Sequence, residues 1–277
     1  MRYKEYIPPV VLDLARRLRS KPSRVYANYE EALPHCGADT YEGESIAEVV
    51  FAKTANLTAT LSDPRRVIGD SGLVNQVFAI LIAREYQGAK SIVNVLDFGG
   101  ACGAHYFGAR VLLRDCGLRW CLVDTEPMVT RGVKLATAEL QFRRTISEAE
   151  KWLGRVSVVH SSAALQYVSD PLKIVRELIS LEPNVILLSR LGLAEGGPFT
   201  MIQTSRLSDN GPGPLPRGMK DRQVKYPVTF VNRKVFEDTL LGAYTIAAQY
   251  WDTAGDYHTT CEDIKGSCYL LLKRRQP

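Results

Sequence analysis

The sequence predicts an α/β protein built on an open, mostly parallel sheet with helices on both faces, a doubly wound arrangement. Three observations carry this. From Ser91 onward, short apolar segments alternate with stretches of helical length. Several of those segments are continuous apolar runs, as a sheet covered on both faces requires. The first of them, Val93-Asn94-Val95-Leu96-Asp97-Phe98, empties an acidic residue into the turn Gly99-Gly100-Ala101-Cys102-Gly103. Ligands of open α/β sheets sit beyond the carboxyl ends of the strands, so this turn marks a small-molecule site.

Residues 1–70 read as an N-terminal helical cap. Pro8-Pro9 ahead of Val10-Val11-Leu12-Asp13-Leu14-Ala15-Arg16-Arg17-Leu18 suits a short amphipathic helix, because proline is tolerated in a first helical turn. Tyr29-Glu30-Glu31-Ala32 and Glu44 to Val50 are two further helical pieces, separated by Gly37 and Gly43. The main domain, residues 71–277, opens with Gly72 to Glu85, which has the length and apolar density of a helix packed on a sheet and is ended by Gly88. Strands are expected over 92–96, 118–123, 140–143, 156–160 and 185–189, and helices over 105–115, 127–137, 147–152 and 172–180. Asp209-Asn210-Gly211-Pro212-Gly213-Pro214-Leu215-Pro216 is too rich in glycine and proline for a regular element; it is a loop that folds over the site or a surface excursion. A helix over 233–241 and strands over 244–251 and 267–273 complete the chain. The segment 191–232 and the N-terminal helices are expected to cover the site, although Phe199, Met201 and Ile202 could instead form an extra strand or a contact in a homodimer.

Composition narrows the function. With 45% apolar and 23% charged residues in 277 the chain carries too much hydrophobic material for disorder. Its net charge of +5 is modest, and the clusters Arg16-Arg17-Leu18-Arg19 and Lys273-Arg274-Arg275 read as solvated faces. No RNA-recognition, zinc-finger or basic-helix module accompanies them, so a small molecule rather than nucleic acid is the expected partner. Apolar runs such as Val185-Ile186-Leu187-Leu188 are far short of a membrane span. Six cysteines without a CxxC pair, behind a start that lacks a secretory pattern, point to a reducing cytoplasm. Cys102, within the turn, reads as small buried packing.

Two cofactors compete for the turn. A dinucleotide site wants G-x-G-x-x-G, and only Gly100 and Gly103 keep its second half, because Phe98 occupies the first position. Asp97 before the turn suits a cationic, hydroxyl-bearing ligand such as S-adenosylmethionine better than a diphosphate. Asp124, 27 residues on at the end of Trp120-Cys121-Leu122-Val123, can accept from two ribose hydroxyls. Nicotinamide sites share that feature, Glu126 could take the ribose instead, and helix capping ahead of Pro127 is the structural alternative for Asp124.

The block Leu96 to Gly103, Val123-Asp124, Ser161-Ser162-Ala163-Ala164-Leu165-Gln166-Tyr167-Val168-Ser169-Asp170-Pro171 and Tyr226-Pro227, with the early Tyr29-Glu30-Glu31-Ala32, resembles a family of bacterial S-adenosylmethionine-dependent methyltransferases encoded with surface-polysaccharide or natural-product genes. The resemblance runs from about residue 26 to 251. It implies the class I methyltransferase fold, a Rossmann-like sheet of about seven strands, with Asp97, Gly99 and Gly103 around the amino-acid end of the cofactor and Asp124 on its ribose; Gly100 is a further cofactor-binding candidate. It also implies that the loop from His160 to Tyr167 faces the methyl donor. The chain departs from the alternating acidic-x-Gly-x-Gly-x-Gly turn by carrying Ala101, with Gly100 beside it.

Methyl transfer needs in-line alignment and, for an oxygen or nitrogen acceptor, removal of a proton. His160, at the predicted end of the fourth strand, and His105, directly after the turn, are candidate bases, with Tyr167 beside them. Tyr106, Gln166, Tyr226 and Trp251 are candidate pocket residues, and Arg190 suits a substrate carboxylate or phosphate. The four histidines, at 35, 105, 160 and 258, show no i, i+4 pair, and His258, Cys261 and Glu262 read as a mobile connection, so no metal is expected. The expected function is methyl transfer to oxygen or nitrogen of a small molecule. The alternatives are a nicotinamide-dependent oxidoreductase and a non-catalytic cofactor-binding protein.

Overall fold

A computed structural model of the chain describes residues 24–37, 40, 41, 43–61, 71–88 and 91–274. The helix expected over 10–18, the basic cluster at 16–19 and Arg275 lie outside these residues. In chain order the elements are β1 (Val25–Tyr26), α1 (Tyr29–Ala32), α2 (Glu44–Thr60), α3 (Ser71–Gln87), β2 (Val93–Phe98), α4 (Ala104–Leu112), β3 (Leu118–Val123), α5 (Glu126–Gly132), β4 (Leu140–Arg143), α6 (Ile146–Leu153), β5 (Val158–Ser162), α7 (Pro171–Ser180), β6 (Val185–Ala194), β7 (Phe199–Arg206), β8 (Gln223–Asn232), α8 (Arg233–Leu241), β9 (Tyr244–Trp251), the short pair β10 (Tyr257–His258) and β11 (Asp263–Ile264), and β12 (Gly266–Lys273).

The main sheet runs β4-β3-β2-β5-β6-β12-β9. Its first five strands are parallel, β12 is antiparallel to β6, and β9 is antiparallel to β12. A dinucleotide fold of this kind ends its second half with successive parallel strands. Slotting the last strand, reversed, between the fifth and sixth of the seven gives the class I methyltransferase fold. Side-chain alternation sorts the sheet into two cores: Val93, Val95, Trp120, Leu122, Val158 and Leu187 pack under α3 and α4, and Leu96, Cys121, Val123, Val159, Ile186 and Leu188 pack against α6, α7 and α8.

The capping of three helices is legible locally. Thr145 and Glu148 form a reciprocal capping box on α6, and Asp170 and Asn232 cap α7 and α8 through the amides of Lys173 and Val235. Three strands differ from their predicted bounds in a way that moves candidate residues. Ladders to both neighbours carry β5 on to Ser162, so His160 lies inside its strand rather than at its end. Asp97 is likewise inside β2. β6 runs on to Ala194 because its last residues leave β12 and pair with β8 at Leu193↔Val231 and Ala194↔Asn232.

The region 191–232 is chiefly a wing of antiparallel strands, β8-β7-β1, hung on the carboxyl end of β6. Phe199 and Met201 lie in β7 and are buried with Phe230, Val228 and the α2 residues Ile46 and Val50 in a third core. Two polar residues in the middle of α2, Lys53 and Thr54, are packed: Lys53 is 2% exposed, its Nζ donating to the carbonyls of Ser208, Asn210 and Gly211 at 2.8, 2.7 and 3.2 Å. The connection at 258–263, expected to be mobile, includes parts of the β10-β11 pair, with His258 Nδ1 3.1 Å from Asp263 Oδ1 and Glu262 accepting from the amides of Glu195 and Gly196.

Candidate cofactor and substrate site

The turn between β2 and α4 is built from left-handed backbone. Gly99, Ala101 and Gly103 have φ of 71°, 53° and 92°. Glycine reaches this region freely; alanine does so at a cost of about 1–2 kcal/mol. Ala101 is held there by Asp124, whose Oδ2 accepts its amide at 2.8 Å while Oδ1 accepts the Thr125 amide at 2.7 Å. The turn is also tight. A Cβ on Gly99 would fall 2.1 Å from that of Ala164, and one on Gly100 would fall 2.5 Å from Asp97 Oδ2.

Asp97 lies beneath this turn and is fully buried. It is the register partner of His160 on the neighbouring parallel strand, so both side chains point toward α3. His160 Nδ1 is 2.7 Å from Asp97 Oδ1, Trp120 Nε1 donates to Oδ2 at 3.2 Å, and His105 Nδ1 is 3.6 Å from Oδ2. Burial opposes the carboxylate charge, but the two histidines outweigh it and hold the Asp97 pKa below the ordinary range. Burial pushes the His160 pKa down despite Asp97. His160 is therefore a neutral imidazole at neutral pH, donating through Nδ1 to Asp97 and accepting at Nε2 from Gln76 Nε2, 3.1 Å away. The ligand atoms of Asp97, His105 and His160 lie within 4.8 Å of one another, yet a cation there would have to break the 2.7 Å bond that joins two of them.

Above the turn is a cleft of about 750 Å³, within the range of small-molecule sites. Its floor is Gly99 to Cys102 with His105, and its far wall carries Ser162, Ala163 and Arg190 from the ends of β5 and the middle of β6. A tyrosine group closes one side. Tyr41 stacks on Tyr167 with ring centroids 5.4 Å apart, and Tyr226 meets both edge-on. The Tyr167 hydroxyl donates to Gln203 Oε1 at 3.0 Å and lies 2.9 Å from that of Tyr257. Burial keeps the Tyr41, Tyr167 and Tyr257 hydroxyls above the ordinary tyrosine value, so they act as protonated hydrogen-bonding groups. The roof is α2 with the loop at Asp209 to Pro212.

Of the residues singled out by sequence, Gly99, Gly100, His105, Tyr167, Arg190 and Tyr226 border this cleft. Others stand behind it. Asp97 and His160 are under the turn, Gly103 caps α4 with its missing Cβ facing Phe107, and Gln166 is buried, donating to the Arg190 carbonyl and Tyr257. Asp124 is half-buried at the end of β3, where burial pushes its pKa up to about 6 against the two amide hydrogen bonds. Glu126, the other ribose candidate, is exposed and paired with Arg144. Tyr106 and Trp251 do not border the cleft. The Tyr106 hydroxyl donates to Glu139 on the other side of α4, and Trp251 is 57% exposed under the Arg233 guanidinium. Sequence reasoning missed Tyr41, Gln76, Gln203 and Tyr257. Gln76 carried a usable signal as a polar residue on the apolar face of α3; the others lie on connections and the wing, where no periodicity points at a site.

A scan against protein-family models finds no match, and neither does a search of curated proteins. Among solved structures the chain is similar to the glycopeptide N-methyltransferase MtfA bound to S-adenosylmethionine, at 11% identity over 71% of this chain and 88% of that one with a TM-score of 0.42. A Clostridium acetobutylicum S-adenosylmethionine-dependent methyltransferase gives 10% identity over 80% and 99%, TM-score 0.45. The Burkholderia thailandensis 1,6-didemethyltoxoflavin-N1-methyltransferase gives 11% over 80% and 87%, TM-score 0.42. Likenesses this distant assign no role to any residue here.

Proposed function

We propose that the chain is an S-adenosylmethionine-dependent methyltransferase acting on an oxygen or nitrogen of a small molecule. The observation that carries this is the left-handed turn at the end of β2, tied to the acidic residue at the end of β3 and opening on the cleft. The charge of Asp97 is no part of the argument, because that carboxylate is sealed beneath the turn and would not meet a diphosphate. What separates this reading from a nicotinamide enzyme is the absent first glycine of the fingerprint and the reversed β12.

The residues present fit the cofactor. Each Asp124 oxygen accepts one amide hydrogen bond and keeps a lone pair for a ribose hydroxyl. The N-terminus of α4 offers positive potential to a carboxylate, and the tyrosine faces suit a sulfonium. When bound, S-adenosylmethionine supplies an electrophilic methyl group. His105 is the cleft residue suited to take the acceptor's proton, with Nδ1 directed at Asp97 and Nε2 left for the acceptor. We read α2 and the segment 191–232 as the substrate cover, since both contribute to the cleft walls. Calorimetric titration with S-adenosylmethionine, S-adenosylhomocysteine and NADH tests the proposal: saturable binding of the first two is expected, and binding of NADH alone by folded protein would overturn it.

A further inference from the structure

β6 is irregular where it passes the cleft. Its pairing with β12 runs to Leu188↔Tyr269 and resumes at Leu191↔Ser267, so Ser189 and Arg190 together stand opposite Cys268. Two residues against one is a β-bulge, a device that re-aims a side chain. Arg190 takes a left-handed φ of 53°, and its amide reaches only a sulfur, Cys268 Sγ at 3.5 Å. The opposite side of the bulge is packed by Gly255, where a Cβ would fall 2.9 Å from Arg190 Cα. A long side chain held in this conformation is strain retained by its surroundings, and such strain concentrates at binding sites.

The bulge delivers the guanidinium to the cleft wall. Nε and Nη2 donate to Ser162 Oγ at 3.1 and 2.9 Å, and Ser189 Oγ donates to the same oxygen at 2.9 Å. That leaves three N–H donors, and among the described residues no carboxylate forms an ion pair with Arg190. The two acids that border the cleft are engaged elsewhere: Asp209 accepts from the Arg206 amide and Asp256 from the Gly266 amide. A planar, permanently charged fork with free donors and no counter-charge is a receptor for an oxyanion. Its position separates it from the cofactor turn. Strands β2, β5 and β6 are consecutive neighbours, which sets Arg190 about 10 Å across the sheet from Gly99.

From this geometry we infer that Arg190, oriented by Ser162, binds a carboxylate or phosphate group of the acceptor substrate, which is therefore an anionic small molecule. That this anion is the methyl acceptor rests on the proposed methyl transfer; the oxyanion site does not. The test is calorimetry of the full chain saturated with S-adenosylhomocysteine, titrated with benzoate, phenyl phosphate and the uncharged benzamide. Wild type is expected to bind one of the two anions at least tenfold tighter than benzamide, and which anion it prefers identifies the group. Arg190→Gln and Arg190→Gly are expected to lose that preference while binding S-adenosylhomocysteine within twofold of wild type. Arg190→Gly also removes the backbone strain, so it is expected to melt at or above the wild-type temperature, which a purely structural arginine would not allow. The inference is overturned if neither anion outbinds benzamide, if the preference survives in both variants, or if both variants lose S-adenosylhomocysteine affinity tenfold, since the guanidinium would then serve the cofactor. Wild type that binds no S-adenosylhomocysteine but prefers an anion through Arg190 sinks methyl transfer and leaves the oxyanion site standing.

Discussion

Asp97 and His160 face one another across two parallel strands as register partners, their polar atoms 2.7 Å apart in a nearly water-free layer under the glycine turn. Removing Asp97 leaves the neutral N–H groups of His160 and Trp120 buried without an acceptor, which costs about 1–3 kcal/mol. Asp97→Ala is expected to lose that much in urea unfolding, and a loss under 1 kcal/mol would show the pair to be idle. The sign of the pH effect follows from the shifts. His160 has a lowered pKa, so its contribution is present above the ordinary histidine value of about 6.5 and is lost as pH falls below it. Asp97, also lowered, contributes above the ordinary carboxyl value and fails only in stronger acid. The stability difference between wild type and His160→Gln should therefore shrink from pH 7 to pH 5; a constant difference would contradict the neutral, buried imidazole.

Asp124 titrates in the opposite sense. Its pKa is raised to about 6, so the folded protein holds this proton longer than the unfolded chain, and the cost of ionising it appears as pH rises through about 6. Ribose hydroxyls donate to the ionised form. Affinity for S-adenosylhomocysteine is thus expected to rise between pH 5 and pH 7 and then level off, while Asp124→Asn binds at least tenfold more weakly with no such rise. Calorimetry at four pH values decides this, and a flat wild-type profile would remove Asp124 from the ribose.

The turn makes a contrast between neighbouring positions. Gly99→Ala adds a methyl group 2.1 Å from Ala164 in a left-handed conformation and is expected to cost about 2 kcal/mol or more. Ala101→Gly relieves about 1–2 kcal/mol of left-handed strain and gives back about 0.5–1 kcal/mol in backbone entropy, a net gain between about zero and about 1.5 kcal/mol. Thermal unfolding of the two variants should move in opposite directions.

His105 is the histidine with access to the cleft. His105→Asn is expected to lower methyl transfer by about 10²–10⁴ with S-adenosylhomocysteine affinity unchanged. Equal turnover in the variant would mean that the acceptor arrives already reactive and that alignment alone suffices.

Much of the framework was legible because local and tertiary preferences agree there. The bounds of β3, β4, α8 and β9 follow from apolar runs closed by turn residues, and the β2 turn from its glycines. The wing was not legible: β7 and β8 pair across an intervening loop of 16 residues, from 207 to 222, and their partner β6 reads as ending at Ser189 because Arg190 interrupts the run. The same interruption is the bulge. The helix expected over Glu44 to Val50 runs on to Thr60, past Lys53, and the carbonyls of a loop about 155 residues away make a buried lysine tolerable there. Asp97 was read as an acid at the strand end beside the ligand, whereas the register that sets it beside His160 puts it inside β2 and beneath the turn.

The three carbonyls on Lys53 saturate its ammonium group, whose own pKa is lowered by burial. Peeling the loop at Ser208 to Gly211 away from α2 would break all three of these hydrogen bonds together, which couples the loop to the helix. Helix and loop form one slab, with Gly211 close enough to Val50 that a Cβ there would fall 3.1 Å from the Val50 Cα. The entrance to the cleft is thereby bounded by helix and loop together, so a substitution at Lys53 reaches the cleft roof through the loop as well as through α2.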